Sequence, residues 1–128
     1  MRVIREEKGQ ALTEFALLVP LFLMLLCGVV DFGRILFTYL NLNLVAQESV
    51  RLGGLGEGDA AIASFARSQA EVPDSTQLQV TVSPTETTRK SGDYVQVTLS
   101  YSLPFMTPLI GNMLPEPVIR ADSTIRVE

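Results

Sequence analysis

From Phe15 to Val30 the chain reads FALLVPLFLMLLCGVV, sixteen consecutive residues without a charge. A helix that crosses a bilayer needs about 20 mostly apolar residues, within a range of about 17–25. Adding Ala11-Leu12-Thr13-Glu14 in front brings the stretch to twenty residues, interrupted by the single carboxylate of Glu14. The run accounts for a positive mean hydropathy of +0.28 in a chain that is still 19% charged. A secretory signal peptide is the competing reading, with a basic head, a short apolar core and a small-residue cleavage site. The head exists, as Arg2, Arg5 and Lys8 against Glu6 and Glu7. Behind the core, however, Val29-Val30-Asp31-Phe32-Gly33-Arg34 offers no Ala-x-Ala pattern, and the apolar pattern continues as a helix. The spacing predicts one retained span at about residues 11–31. The positive-inside rule keeps the basic head cytoplasmic and puts residues 53–128, with five basic and nine acidic side chains, outside.

Beyond the span, Ile35, Tyr39, Leu42, Ala46 and Val50 recur at spacings of four, three, four and four, one stripe of a helix. A continuous helix over Ala11–Leu52 would run roughly 63 Å, about twice the hydrocarbon thickness. Gly53-Gly54 is the expected stop, with Leu55-Gly56-Glu57-Gly58 as a flexible joint. The glycines lack the spacing of a phosphate-binding loop, and no strand precedes them. Asp59 then serves as the expected N-cap of a short helix whose inner side is Ile62, Phe65, Ala66 and Gln69. Three alternating runs follow as strand candidates. They carry Leu78, Val80 and Val82; then Val95, Val97, Leu99, Tyr101 and Leu103; then Ile119, Ala121, Ile125 and Val127. One apolar face per strand implies a small antiparallel sheet with a solvated side. The polar insert Pro84–Gly92 joins the first two runs, and the proline-rich Pro104–Pro117 joins the last two.

The chain has no His and one Cys, which excludes imidazole zinc sites, Ser/His/Asp triads, Cys/His dyads and an intrachain disulfide. No nucleophile–base pair stands out, so the expectation is a protein that is not an enzyme, with no cofactor, no metal and no small-molecule substrate. A net charge of −4, with Arg89-Lys90 as the one adjacent basic pair outside the membrane, argues against nucleic acid as a partner. Cys27 reads as a small hydrophobe in the span. Gly28 and Gly33 are five apart and do not form a GxxxG packing motif.

Charged and proline positions in the helix are the candidate functional residues. A carboxylate within a span costs about 2.5–3.5 kcal/mol at the bilayer centre and less near the interface, which makes Glu14 the informative exception. Pro20 removes an intrahelical hydrogen bond and can kink the helix, which a span tolerates when neighbours satisfy the freed carbonyl. Asp31 and Arg34 mark the outer interface as anchors.

Lys8-Gly9-Gln10-Ala11-Leu12-Thr13-Glu14-Phe15 resembles the processing site of type IV prepilins, whose membrane aspartyl peptidase cuts after a glycine behind a short basic leader. Cutting between Gly9 and Gln10 would make Glu14 the fifth residue of the mature chain. The Glu-Phe pair is similar to the Flp/Tad subclass. Gly9 to Pro20, then Gly28-Val-Val-Asp31-Phe-Gly33-Arg34 and Ala46-Gln-Glu-Ser-Val-Arg51, resemble TadE-like minor pilins and pseudopilins. Leu103-Pro-Phe-Met-Thr-Pro108-Leu and Ala121-Asp-Ser-Thr-Ile-Arg126-Val-Glu128 also look like family segments. Glu6 and Glu7 in the leader, and Gln10 after the cut, depart from the usual pattern.

The resemblance implies an α+β, type IV pilin-like fold: a long N-terminal transmembrane and amphipathic helix, a short helix, and an antiparallel sheet of about three strands. Its expected parts are a leader (1–9), the long helix (10–52), a glycine-rich hinge (53–58) and a small extracytoplasmic domain (59–128). The implied function is assembly of a Tad/Flp-type pilus for surface adherence and biofilm formation, from the cytoplasmic (inner) membrane and with possible incorporation into the pilus. The implied partners are a prepilin peptidase, other pilins, Tad assembly-platform proteins and membrane lipid. Glu14 would pair with the N-terminal amine of a neighbouring subunit and set register. The alternative is a single-pass anchored extracytoplasmic binding module that no prepilin peptidase processes.

Overall fold

The structure, a computed structural model, describes the backbone of residues 2–128 and the side chains from Glu6 onward; Met1 and the side chains of residues 2–5 in the expected leader lie outside the described residues. The elements run α1 (Arg2–Gly54), α2 (Asp59–Gln69), a 3-10 turn (Ser75–Gln77), β1 (Gln79–Ser83), β2 (Tyr94–Ser102), α3 (Ile110–Met113) and β3 (Val118–Arg126). This is the α+β layout expected from the sequence: a long apolar helix, a short helix and a three-stranded antiparallel sheet. The sheet order is β1-β2-β3, a simple meander.

Two compact units emerge from the contacts. One holds the described residues up to Gly33 together with Phe105–Pro115, and the other holds Arg34–Pro104 and Glu116–Glu128. In the second unit, side-chain alternation fixes the register. Val80 stands opposite Leu99 and Val82 opposite Val97, while Leu99 faces Ala121 and Val95 faces Ile125. All of these lie on one face, because strand side chains alternate with a period of two. The opposite face carries Gln96 and Asp122, joined by a 2.8 Å hydrogen bond.

The Arg34–Gly54 stretch of α1 lays Leu42, Val45, Ala46 and Val50 into the core with Ile62, Ala66, Val95, Val97, Leu99 and Ile119. Thr38 is buried and Tyr39 is half exposed. The stripe is thus rotated slightly from the expected one, since at 3.6 residues per turn position 39 falls at the edge of the arc centred near Leu42. Gln69 of α2 is likewise exposed, while Ile62 and Ala66 are buried.

α1 stops at Gly54, within the expected glycine pair, but both glycines are still helical and buried. A Cβ at Gly53 would stand 3.1 Å from a Val95 methyl, and one at Gly54 would stand 3.2 Å from an Ile125 methyl. The glycines let the last helical turn rest directly on the sheet. The cap falls at Gly56, whose φ of 90° is the left-handed conformation. Glu57 N–H donates to Leu52 O at 2.9 Å and Gly56 N–H to Gly53 O at 3.2 Å, a Schellman closure. Glu128 N–H satisfies the Gly54 carbonyl at 3.0 Å.

Asp59 is also not the N-cap of α2. Gly58 occupies that position without a side-chain bond of its own, and Asp59 is the first helical residue. The capping oxygen arrives from another segment, as Glu86 Oε2 accepts from Asp59 N–H at 2.7 Å. Asp74 caps the 3-10 turn by accepting from Thr76 N–H at 3.1 Å. The proline-rich connection between β2 and β3 contains the four-residue helix α3.

Candidate functional site

Gly9, Gln10 and Glu14 all lie within α1 and are exposed. Glu14 Oε1 accepts from the Gln10 side-chain amide at 3.3 Å, and Thr13 Oγ1 donates to Gly9 O at 2.9 Å. Both contacts follow from i,i+4 neighbours sharing one helix face. Nothing lies within 4 Å of where a Gly9 Cβ would be, so the peptide there is open on that side. Glycine is about 1 kcal/mol less favourable than alanine in a helix, which makes Gly9 the weakest backbone position of this turn.

The run behind Glu14 is helical through Pro20. Proline has no N–H, so it leaves the Ala16 carbonyl without its usual partner. Leu12, Phe15, Leu17, Leu21 and Phe22 are all more than half exposed, a surface suited to lipid or to another helix and not to water. The helix segment from Glu6 has a best-window mean hydropathy of 2.5 with 6% of that window buried, long and apolar enough to cross a membrane. It is compatible with a single-pass anchor.

Asp31 ends this run and is only 4% exposed. Its Oδ1 accepts from Met106 N–H at 2.8 Å, and its Oδ2 accepts from Thr107 N–H at 2.9 Å and from the Thr107 hydroxyl. Thr107 is buried as well. An ionised carboxylate offers several acceptor positions and needs them filled when buried, and these three donors from one short segment fill them. Arg34 donates from Nη1 to Pro104 O at 3.4 Å. Sequence reasoning placed Asp31 and Arg34 at the interface but missed Thr107. The Met-Thr-Pro tripeptide in an uncharged stretch was the one signal available for it, with nothing to link it to a residue 76 positions earlier.

A second polar cluster joins Asp59, Glu86 and Arg89. Arg89 Nη1 meets Asp59 Oδ1 at 3.0 Å, and Arg89 Nη2 donates to Glu57 O at 3.0 Å. These contacts fasten the β1–β2 loop to the α1–α2 turn and to the first residue of α2, a structural arrangement. Among the described residues no group of three or more His, Cys, Asp or Glu could hold a metal ion. Cys27 is a free, half-buried thiol.

Residues 9–51 match the family model described as TadE-like protein. That stretch of α1 is similar to TadE-like proteins. The matched segment begins at Gly9, includes Gln10, Glu14, Pro20, Asp31 and Arg34, and ends three residues before α1 does. It covers about a third of the chain and leaves α2 and the sheet outside. No curated protein and no solved structure shows a significant match to the chain.

Proposed function

We propose that this protein is a minor pilin or pseudopilin that takes part in assembling a Tad/Flp-type pilus used for adherence and biofilm formation. The observation that carries the reading is the TadE-like match beginning at Gly9 and running through Glu14 to Arg51. A prepilin peptidase of the inner membrane cuts between Gly9 and Gln10, with the leader cytoplasmic and the β-rich unit extracytoplasmic. The cut removes Arg2, Arg5 and Lys8 and creates a charged amine at Gln10. Among the described residues of the uncut chain, the Gln10 amide is the group that donates to Glu14. After cleavage Glu14 pairs with the amine of a neighbouring subunit, and because an unpaired charge in an apolar setting is strongly disfavoured, the pair fixes register.

A second feature supports subunit packing over a solitary anchor. Leu36, Phe37, Leu40 and Leu44 lie beyond the charge-free run, and each is roughly half exposed or more. Their spacing of one, three and four puts them on the helix face away from Leu42 and Val45. A helix standing in water has no use for such a face, whereas helices packed in a fibre cover it.

Co-expression of the full chain with a prepilin peptidase of the Tad system is the direct test. Loss of the nine residues through Gly9, slowed by Gly9→Ala, is the expected result. A chain that keeps Met1–Gly9 under those conditions favours an unprocessed, membrane-anchored binding module.

A further inference from the structure

We propose that Phe105–Pro115 is a second membrane-contacting element, a short apolar turn that enters the outer leaflet beside α1 and makes the lipid attachment two-pronged. The proposal rests on the reading of α1 as a membrane anchor. Phe105-Met-Thr-Pro-Leu-Ile-Gly-Asn-Met-Leu-Pro115 contains no charged residue. Four of its apolar side chains point outward, with Met106 64%, Leu109 60%, Met113 80% and Leu114 56% exposed. The inward position is taken by Thr107, the residue that meets Asp31.

Position argues for lipid as the occupant. Asp31 follows Val30, the last residue of the charge-free run, and Met106 and Thr107 are fastened to its carboxylate. The turn therefore sits where α1 leaves the hydrocarbon, in the same compact unit as the run itself. The neighbouring helix positions Val29, Val30 and Phe32 are also more than half exposed, so the apolar surface of the turn continues that of the span. The backbone is suited to such a place. Asn112 and Met113 donate to Leu109 O, and Leu114 donates to Ile110 O, so these three N–H groups are already paired within the turn.

Leu109 has a φ of 74°, a conformation unfavourable for a branched side chain. The strained residue is also an exposed leucine, an arrangement with no benefit in water. Burial of Met and Leu side chains at the headgroup boundary, as in interfacial amphipathic segments, supplies one.

Depth-dependent quenching on the full chain in phosphatidylcholine/phosphatidylglycerol vesicles tests this. In a Cys27→Ala background, single cysteines at Met113, Leu21 and Thr87 carry an environment-sensitive fluorophore. Leu21 reports the span, and Thr87, exposed among the charged residues of the β1–β2 loop, is the aqueous reference. The Met113 label should be blue-shifted and quenched by a shallow nitroxide lipid about twofold or more above the Thr87 label. A Met113 label as open to iodide as Thr87, with Leu21 still quenched by lipid, overturns the proposal. So does a Met113 label shielded from both quenchers, since protein then covers the turn. A Leu21 label that escapes lipid quenching overturns the anchor reading and this proposal with it.

Discussion

Arg89 reaches back 30 residues to hold Asp59 at 3.0 Å, with its own side chain 5% exposed and that of Asp59 32% exposed. The same guanidinium donates to the carbonyls of Pro84 and Glu57. Glu86, three residues earlier, caps α2 through Asp59 N–H. One loop thus satisfies the start of α2 and the exit of α1 together. Truncating Arg89 to alanine removes all three contacts and leaves a partly buried carboxylate without its cation. Arg89→Ala should destabilise the second unit by about 1–3 kcal/mol, discounted from a fully buried pair because Asp59 is a third exposed. Denaturant unfolding of the full chain in detergent, followed by tyrosine signals, measures it. The chain has no Trp, so buried Tyr101 reports without interference from indole. Lysine at position 89 should recover only part of the loss, because it cannot reproduce the fork.

Gly53 and Gly56 stand close in sequence and act for different reasons. Gly56→Ala places a Cβ in a left-handed position and should cost about 1 kcal/mol. Gly53→Val drives a branched side chain into Val95 and should cost about 1–3 kcal/mol. The same unfolding measurement separates them from a plain hinge, in which both substitutions would be tolerated.

Ser49 presents a fully buried hydroxyl with no hydrogen-bond partner among the described residues. Ser49→Ala removes an unsatisfied polar group and raises helix propensity. It should therefore stabilise the protein by about 0.5–1.5 kcal/mol, read as a higher denaturation midpoint at unchanged slope.

Glu14→Val should leave membrane insertion and cleavage after Gly9 intact while reducing incorporation or piliation by on the order of tenfold or more. Alkaline extraction of membranes checks insertion, and electron-microscopic counts of pili check assembly. Normal piliation would remove the proposed register role of Glu14.

The alternating faces of β2 and β3 were legible because burial on one side of a sheet writes a period of two into the residues themselves. Val95, Val97, Leu99, Ile119 and Ala121 are buried as that pattern requires. Capping was only partly legible. Asp59 has the right chemistry and the right place for an N-cap, yet Arg89 and the N–H of Glu86 occupy its carboxylate, and Glu86 supplies the cap from a loop 27 residues later. Gly53 and Gly54 read locally as a stop signal, whereas a neighbouring sheet makes the absence of a side chain a packing requirement.

Residue order alone shows that α1 is apolar enough to cross a membrane, that Gly9 and Glu14 stand at its head, and that three half-apolar strands follow. These are local properties, carried by periodicity and by the transfer cost of charge. The meander order of the strands, the capping of α2 by Glu86 and the burial of Asp31 against Thr107 emerge only once the chain is folded. Those contacts join residues 27 and 76 positions apart. A buried carboxylate or an orphaned helix N–H demands a partner, but its own sequence neighbourhood does not say which distant segment will supply one.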